Sequence, residues 1–352
     1  MSNVTWTQDD SSNQLLSFFS NDTILEHKVD SVFSTLNEKS IVAQLIMPAV
    51  GRMGSSEDSI KYLIQNQQIG GILLLNGTKD QFRRWTTLFE EMNKKYGNLP
   101  FLYSADAEPS LVNRKIKGST PVTKATEINS MEEIYRVANT ISNDLNDIGV
   151  NYNFAPVVDL SSNKTVGYRG FGSNPENIIP FSLAFIEQTQ HQNIIATAKH
   201  FPGHGLVTGD THKSLQVIDG ALKELENYPP LIKRGVLSIM VAHIAVKNNE
   251  MFNTHGAPST ISKTIVTDLL RDSLDFKGLI VTDAMNMGGV VRVPNASVKA
   301  IDAGCDILLM PKSAKRAHSE IYAKYKSDID FRSKVDVAAR RIIRMKICLG
   351  LI

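Results

Sequence analysis

The densest group of residues that could do chemistry lies at 199–212, in the stretch KHFPGHGLVTGDTH. It holds three of the chain's eight histidines together with Lys199 and Asp210, among three glycines and a proline. Asp210 and His212 are two residues apart, so the carboxylate can hydrogen-bond to the imidazole, fix its tautomer and raise its basicity. In this interpretation His212 is a general acid/base. The alternative is a surface histidine that pairs with a nearby aspartate.

A second carboxylate of interest, Asp283, closes the apolar run GLIVTD. It could act as a nucleophile or stabilise charge, or it could simply be the N-cap of a following helix. Lys199 and His200 also end an apolar run. Neighbouring residues of a strand face opposite sides, so both can reach one ligand only if the backbone is locally irregular. For His204 we expect a structural role.

A metal site and a nucleotide site are both disfavoured by spacing. Metal ligation would draw on His200, His204, Asp210 and His212, whose spacing matches no compact zinc signature. No GxxxxGK[ST] or GxGxxG motif follows a strand candidate. We therefore expect neither a metal nor a cofactor.

The composition is that of an ordinary globular protein, with 42% hydrophobic and 21% charged residues in a chain of 352 and a net charge of +2. Without a basic block, no nucleic-acid partner is expected. No apolar run is long enough to span a membrane, and Cys305 and Cys348 lie among apolar neighbours, as buried free thiols do. We expect a monomer. The compartment stays open between the cytoplasm and, if an export signal has been removed, the cell envelope.

Apolar runs that read as buried strands alternate with stretches of helical period from about residue 40 onward. Eight strands are predicted, at 41–50, 69–75, 99–106, 148–159, 193–200, 236–243, 278–285 and 305–311. Helices are predicted at 82–96, 130–148, 178–192, 221–234, 262–274, 295–303, 313–325 and 330–347, and Ser130 and Glu133 have the spacing of a capping box.

Eight strand–helix units predict an α/β fold, a single (β/α)8 TIM-type barrel that could contain irregular strands, at 39–352. Residues 1–38 are predicted to be a polar, partly helical N-terminal extension. In such a barrel, chemistry collects at the carboxyl ends of the strands. The polar residues at those ends are Asp106, Asp159, Lys199 with His200, His243 and Asp283.

Four segments together resemble glycoside hydrolase family 3, and specifically its single-domain bacterial β-N-acetylglucosaminidases of the wall-recycling type. They are KHFPGHGLVTGDTHKS, IVTDAMNMGGV, IGVNYNFAPVVDL and VGYRGFGSNP. In that family the first segment is a mobile loop that delivers a histidine acid/base supported by an aspartate. Relatives instead take a carboxylate from a second domain, which we do not expect here.

The resemblance implies roles for individual residues. Asp283 matches the nucleophile, His212 the acid/base and Asp210 its partner. The positions that match substrate-binding residues are Asp106, Arg114, Arg169, Lys199 and His200.

The chain departs from the family pattern around the sugar-binding motifs. Pro109, Ser110 and Leu111 stand where the family has Gly-Gly-Arg, Tyr168 replaces a frequent Asp, and Ala284 follows the nucleophile position. These changes bear on the part of the substrate beyond the terminal sugar.

The function implied is a retaining exo-β-N-acetylglucosaminidase that acts on cell-wall fragments or chitin-type oligosaccharides, with a carbohydrate as its partner. The alternatives are a β-glucosidase of the same family and a non-catalytic sugar-binding barrel. Phosphate as the acceptor in place of water is a secondary possibility.

Overall fold

The computed structural model describes residues 14–160 and 162–352. The strands are β1 (Ile46–Met47), β2 (Ala49–Val50), β3 (Gly71–Leu74), β4 (Gly77–Thr78), β5 (Leu102–Ala105), β6 (Ile116–Lys117), β7 (Tyr152–Asn153), β8 (Ile195–Phe201), β9 (Gln216–Asp219), β10 (Ser238–Val241), β11 (Ile244–Lys247), β12 (Leu279–Thr282) and β13 (Leu308–Leu309). Seven of them form one curled parallel sheet in the order β12, β10, β8, β7, β5, β3, β2. The predicted α/β class is therefore confirmed.

The remaining strands form three small parallel sheets. β1 pairs with β13. An isolated bridge between Val281 of β12 and Ile307, just before β13, links this pair to the main sheet. β9 pairs with β11 and β4 pairs with β6. The β9–β11 pair was not predicted from the sequence.

Helices cover the sheet. They are α1 (Thr23–Ser34), α2 (Glu38–Ala43), α3 (Glu57–Gln65), α4 (Lys79–Lys95), α5 (Val112–Lys115), α6 (Met131–Asp147), α7 (Pro175–His191), α8 (Tyr228–Lys233), a π-helix (Thr264–Ser273), α9 (Ala296–Asp302), α10 (Ala314–Ser327) and α11 (Ile329–Cys348). Short 3-10 turns lie at Gln14–Phe19, Ala125–Glu127, Leu225–Asn227 and Ser259–Ile261. The core lies between the helices and the fully buried strands, as Phe82 and Phe89 of α4 illustrate with 0% exposure.

Local capping explains where the long helices begin. α4 starts at a capping box, in which the Thr78 hydroxyl accepts from the Gln81 N–H and the Gln81 side chain accepts from the Thr78 N–H. α6 starts at Ser130, as predicted, and Ser130 accepts from the Glu133 N–H. A complete capping box would also need the Glu133 carboxylate to accept from the Ser130 N–H. That part of the prediction was wrong, because the carboxylate accepts from the Thr123 hydroxyl at 2.7 Å instead.

Several predicted elements need correction. Residues 41–43 of the first predicted strand are helical, because the Asn37 side chain caps α2 through the Ser40 N–H. The fourth predicted strand, 148–159, keeps only Tyr152–Asn153 and an isolated bridge at Val157. The predicted helix at 221–234 is reduced to a 3-10 turn followed by α8.

The described part of the N-terminal segment packs against α11. Arg344 of α11 contacts the Glu26 carboxylate of α1, and its Nε donates to the carbonyl of Phe18 at 2.7 Å. The first 13 residues of the predicted N-terminal extension lie outside the described residues. Among the helices of the described ranges, none has the length and apolarity to cross a membrane.

The carboxyl end of β8 is irregular. Lys199 pairs with Met240 of β10, and the next pair joins Phe201 to Val241, so His200 has no partner in that register. The Lys199–His200 peptide is cis. The register shift thus supplies the local irregularity that Lys199 and His200 would need in order to reach one ligand.

Candidate active site

A cluster of opposite charges lies at the carboxyl ends of β5 and β8. Lys199 is 1% exposed, and its Nζ lies 3.0 Å from Asp106 Oδ1 and 2.5 Å from Glu108 Oε1. Arg169 holds the same glutamate with two bonds, from Nε to Oε2 at 2.8 Å and from Nη2 to Oε1 at 2.5 Å. Lys115 contacts Asp106 Oδ2 at 2.5 Å. Two carboxylates and three cations are therefore fixed in one network.

This network keeps both carboxylates ionised although they are buried. Burial raises the pKa of Glu108, but Arg169 and Lys199 outweigh it and lower the pKa to about 2. Burial likewise raises the pKa of Asp106, and Lys115 and Lys199 hold it well below its usual range. Charged carboxylates are strong acceptors for hydroxyl donors, so the cluster suits a polyhydroxylated ligand.

Glu108 is a site residue that the sequence interpretation missed. It lies two residues after Asp106 and is fully buried. Arg114, which the resemblance aligned with a binding arginine, is exposed and lines a neighbouring cavity. The adjacent Lys115 is the cation that contacts Asp106.

His200 is oriented by the carboxylate of Asp159. Its Nδ1 lies 2.6 Å from Asp159 Oδ2, and its backbone N–H donates to the same carboxylate. The His204 N–H also donates to Asp159, at 2.8 Å. Burial raises the pKa of Asp159, but the two imidazoles and these N–H donors keep it below its usual range. With Nδ1 engaged, Nε2 is the free ring nitrogen of His200.

Asp283 follows β12 and caps no helix. Its Oδ1 accepts from the N–H of the next residue, Ala284, at 2.7 Å, and the chain then runs through turns until α9. Burial raises the pKa of Asp283, but the His200 imidazole and the Ala284 N–H together lower it. Asp283 also acts electrostatically on Arg169. The nucleophile candidate is therefore an ionised carboxylate beside the charged cluster.

His243 supports the backbone beside Asp283. Its Nε2 lies 3.0 Å from the carbonyl oxygen of Ala284, and its Nδ1 lies 2.8 Å from Thr260 Oγ1. A carbonyl only accepts, so Nε2 carries the proton. Burial lowers the pKa of His243, which favours this neutral form.

The Asp210–His212 pair sits on the loop between β8 and β9. His212 Nδ1 lies 2.8 Å from Asp210 Oδ1, and the same oxygen accepts the His212 N–H at 2.9 Å. Partial burial raises the pKa of Asp210, but these His212 contacts outweigh it and lower the pKa. The His212 side chain is 59% exposed, so its Nε2 side is open to a ligand or solvent.

Backbone bonds join this loop to the segment after Asp283. The Gly288 N–H donates to the carbonyl of His212 at 2.9 Å, and the Gly289 N–H donates to that of Thr211 at 3.1 Å. A Cβ at Gly288 would lie 2.2 Å from the Lys213 carbonyl oxygen. Glycine is therefore required for this close approach of the two backbones.

Glu224 braces the start of the β8–β9 loop by accepting backbone N–H groups. Its carboxylate accepts the N–H groups of Leu160, Gly205 and Leu206 at 2.8, 3.0 and 3.3 Å. Burial and the nearby Asp159 raise its pKa to about 8. The sequence interpretation did not single out Glu224, which lies on a stretch predicted as helix.

The structure thus brings most predicted site residues to one rim. Asp106 and Lys199 share one network with Arg169 through Glu108, and Arg169, His200 and the loop residue His212 interact electrostatically with Asp283. Within residues 14–160 and 162–352, no group of three or more His, Cys, Asp or Glu side chains could hold a metal ion. A cavity of about 750 Å³ opens on the same face, between residues after β2 and β13, and Asn286 contributes to its wall.

Comparison with known proteins identifies the family. The sequence profile described as "Glycosyl hydrolase family 3 N terminal domain" matches residues 35–345. The chain belongs to glycoside hydrolase family 3. The resemblance noted from the sequence is thereby confirmed.

Named relatives and solved structures are similar over most of this chain. A protein from Cellulomonas fimi named "Beta-N-acetylglucosaminidase/beta-glucosidase" is 28% identical over 319 residues, which are 84% of this chain and 55% of that protein. The family 3 β-N-acetylglucosaminidase structure from Paenibacillus has a TM-score of 0.82 at 27% identity, covering 90% of this chain and 63% of that one. The structure of the β-N-acetylhexosaminidase from Beutenbergia cavernae has a TM-score of 0.79 at 26% identity, and the match covers 87% of this chain and 97% of that one. This chain thus spans about half the length of the Cellulomonas relative.

Proposed function

We propose that this family 3 glycoside hydrolase is a retaining exo-β-N-acetylglucosaminidase. The observation that carries the proposal is the pairing of an ionised Asp283 with the Asp210–His212 dyad, whose loop is bonded to the segment after Asp283. A carboxylate and an acid/base on one rim are the two groups that a retaining mechanism needs. The names of the Cellulomonas, Paenibacillus and Beutenbergia proteins support the same activity.

In the first step, Asp283 attacks the anomeric carbon while His212 protonates the leaving oxygen, which gives a glycosyl-enzyme. In the second step, the now neutral His212 deprotonates water, which attacks that carbon and releases Asp283. A neutral imidazole adds no second negative charge beside the nucleophile, unlike the usual second carboxylate. Asp210 holds the His212 ring through Nδ1, which leaves Nε2 for the proton transfer.

The charged cluster would hold the terminal sugar. Asp106 and Lys199 are positioned to accept from and donate to its hydroxyls, and His200 offers its free Nε2 to the same ring. Arg169 ties this cluster to the nucleophile, because it binds Glu108 and interacts electrostatically with Asp283. Arg114 is left out of this set, because it is exposed and lines the neighbouring cavity.

The substrate class we propose is a terminal, non-reducing β-linked N-acetylglucosamine on cell-wall fragments or chitin-type oligosaccharides. A β-glucosidase is the second candidate, since the Cellulomonas relative carries both names. We further propose that the β1–β13 pair and the Val281–Ile307 bridge close the seven-stranded sheet into a (β/α)8 barrel. Residues 39–352 would then be the catalytic unit, with 1–38 as its N-terminal extension.

The test compares hydrolysis of 4-nitrophenyl β-N-acetylglucosaminide and 4-nitrophenyl β-glucoside by the wild type and by Asp283→Ala. We expect turnover of the acetamido substrate, with kcat reduced by roughly 10⁴-fold or more in the variant. The first-formed sugar should be the β-anomer by NMR, as retention requires, and should carry no phosphate when inorganic phosphate is present. Asp272→Asn, an exposed aspartate on the π-helix, serves as the matched control and should behave as the wild type.

Other outcomes are equally informative. A preference for the glucoside would assign the chain to the second candidate. Release of sugar phosphate would show that the acceptor is phosphate and not water. Sugar binding without turnover of either substrate would leave a non-catalytic sugar-binding barrel and reject the proposal.

A further inference from the structure

His243 is a buried histidine to which the proposed mechanism assigns no step. It lies two residues after the end of β10 and is 0% exposed. Burial lowers the pKa of its imidazole, so the ring is neutral there. Both ring nitrogens are engaged, one by the residue that follows Asp283 and the other by Thr260. The ring is therefore held at both ends, one residue away from the nucleophile candidate.

Ala284 connects this ring to the nucleophile candidate. Its carbonyl accepts from His243 Nε2 and from the Met287 N–H, each at 3.0 Å, and its own N–H donates to Asp283 Oδ1 at 2.7 Å. Alanine has no polar side chain, so residue 284 can hold the carboxylate only through its backbone. The position of that backbone therefore helps to set the orientation of the Asp283 carboxylate.

Thr260 determines which nitrogen of His243 can donate. Because Nε2 carries the proton that meets the Ala284 carbonyl, Nδ1 is an acceptor, and the Thr260 hydroxyl donates to it at 2.8 Å. Thr260 is 0% exposed and lies on the 3-10 turn Ser259–Ile261. The Ser259 hydroxyl donates to the carbonyl of Ile244, the residue directly after His243, at 2.6 Å. The turn that carries the hydroxyl is thus anchored beside the ring that it orients.

The backbone of Gly289 packs against His243. A Cβ at position 289 would lie 2.9 Å from His243 Cβ and 3.1 Å from its carbonyl oxygen, so only glycine allows this approach. The Gly289 N–H also donates to the carbonyl of Thr211, directly before His212. His243 therefore contacts the segment of the nucleophile, and that segment is bonded to the acid/base loop. A shift of His243 would act on Asp283 first, and on His212 only through Gly289.

We propose that His243 is a positioning residue for the nucleophile. Its Nε2–H holds the Ala284 carbonyl, so that the N–H of Ala284 keeps the Asp283 carboxylate aimed at the anomeric carbon, and Thr260 keeps the ring in the donating tautomer. His243 itself exchanges no proton with the substrate. The inference rests on the proposed function, because it concerns the first step of that mechanism. A nucleophile whose orientation is lost by as little as about 1 Å can lose roughly 10²-fold in rate.

The experiment compares His243→Leu and Thr260→Val with the wild type. The substrates are 4-nitrophenyl β-N-acetylglucosaminide and the methyl glycoside of the same sugar, or the matching glucosides if those are preferred. We expect kcat/KM to fall roughly 10²-fold in His243→Leu, which has no donor, and about tenfold in Thr260→Val, which leaves Nδ1 without its partner. Each factor should be the same for both glycosides, because a misdirected nucleophile attacks slowly whatever the leaving group. The Kd of the free sugar, measured by calorimetry, should change by less than about twofold.

Conservative variants separate positioning from general damage to the core. His243→Gln places an amide N–H near the position of Nε2 and should stay within about threefold of the wild type. Thr260→Ser restores the hydroxyl and should recover most of the activity. Thr189→Val is the matched control, because Thr189 on α7 is equally buried and its hydroxyl has no hydrogen-bond partner within the described ranges. It should behave as the wild type.

A second readout does not depend on catalysis. Amide hydrogen exchange at Ala284 should be roughly tenfold faster in His243→Leu and Thr260→Val, while exchange at Ile280 of β12 should be unchanged. If the wild type hydrolyses neither glycoside, the proposed function fails. The exchange measurement then still decides whether His243 holds residue 284, so the two failures are distinguishable.

Three results would overturn the inference. His243→Leu and Thr260→Val could both keep the full kcat/KM of an active wild type. Their losses could be confined to the methyl glycoside, which would mean that His243 acts through the acid/base loop and not through Asp283. Exchange at Ala284 could be unchanged in both variants, which would show that the ring does not hold this backbone.

Discussion

His204 Nε2 lies 2.8 Å from Thr211 Oγ1, so an imidazole at the start of the β8–β9 loop holds the residue directly before His212. His204 is itself anchored, because its N–H donates to Asp159, the same carboxylate that orients His200. His200 and the β8–β9 loop that carries His212 are thus tied to one buried carboxylate. His204 therefore has the structural role expected for it, and that role concerns the placement of His212.

Replacement of Thr211 by valine tests this tie. Thr211 is 1% exposed, and valine preserves its shape while removing the hydroxyl that meets His204. We expect kcat to fall by about tenfold with little change in KM, since the terminal sugar is held elsewhere and only the acid/base is misplaced. Thr211→Ser should restore most of the activity. Thr208→Val, at an exposed threonine of the same loop, should have no effect; equal losses in both variants would argue against the His204–Thr211 tie.

The Asp210–His212 dyad makes a prediction about leaving groups. Asp210→Asn replaces the charged acceptor at His212 Nδ1 with a neutral amide and so weakens the hold on the proposed proton donor. Glycosides with poor leaving groups, which need protonation, should therefore lose roughly 10²-fold in kcat. Glycosides of acidic phenols need little protonation and should be nearly unaffected. The measurement is a plot of log kcat against the pKa of the leaving phenol for wild type and variant. Parallel lines would mean that Asp210 does not act through acid catalysis.

Much of the site follows from strand periodicity alone. Asp106, Lys199 and Asp283 each end an apolar run, and parallel strands bring such ends to one rim. The two residues Asp210 and His212 are close enough in sequence to pair in almost any loop conformation. These contacts are local or fixed by the sheet, which is why they are predictable.

Other contacts depend on packing that a single sequence does not encode. Arg114 and Lys115 are adjacent on the four-residue helix α5, and only its orientation decides which one meets Asp106. Glu108 is a surface-type residue whose burial depends on Arg169, 61 positions away. Residues 41–43 are helical because α2 starts at the Asn37 cap, and the apolar run from residue 41 onward gives no indication of that helix.

The buried Glu108 predicts a loss of stability in acid. Its pKa is lowered from 4.5 to about 2, so its contribution to folding is present above about pH 4.5 and is lost as the pH falls toward 2. Glu108→Gln leaves Arg169 and Lys199 partly unpaired and should lower the free energy of unfolding at pH 7 by about 3 kcal/mol. Urea denaturation at pH 7 and at pH 3 checks this, since the difference between wild type and variant should shrink at pH 3. Glu132→Gln, at an exposed position on α6, is the control; an undiminished difference at pH 3 would show that charge pairing is not the cause.

Glu224 predicts the opposite dependence on pH. Its pKa is raised from 4.5 to about 8, so its contribution to stability is full below about pH 4.5 and is lost as the pH rises through 8. Ionisation there leaves a desolvated charge beside Asp159, and the N–H bonds from Leu160, Gly205 and Leu206 offset only part of that cost. Glu224→Gln imitates the neutral carboxyl, so its Tm should fall less than that of the wild type between pH 6 and pH 9. Amide hydrogen exchange of the loop should report the same difference locally, after correction for the intrinsic rate at each pH. Identical Tm profiles for the two proteins would mean that Glu224 does not gain its charge in this range, and the brace would then have to act through its three N–H contacts alone.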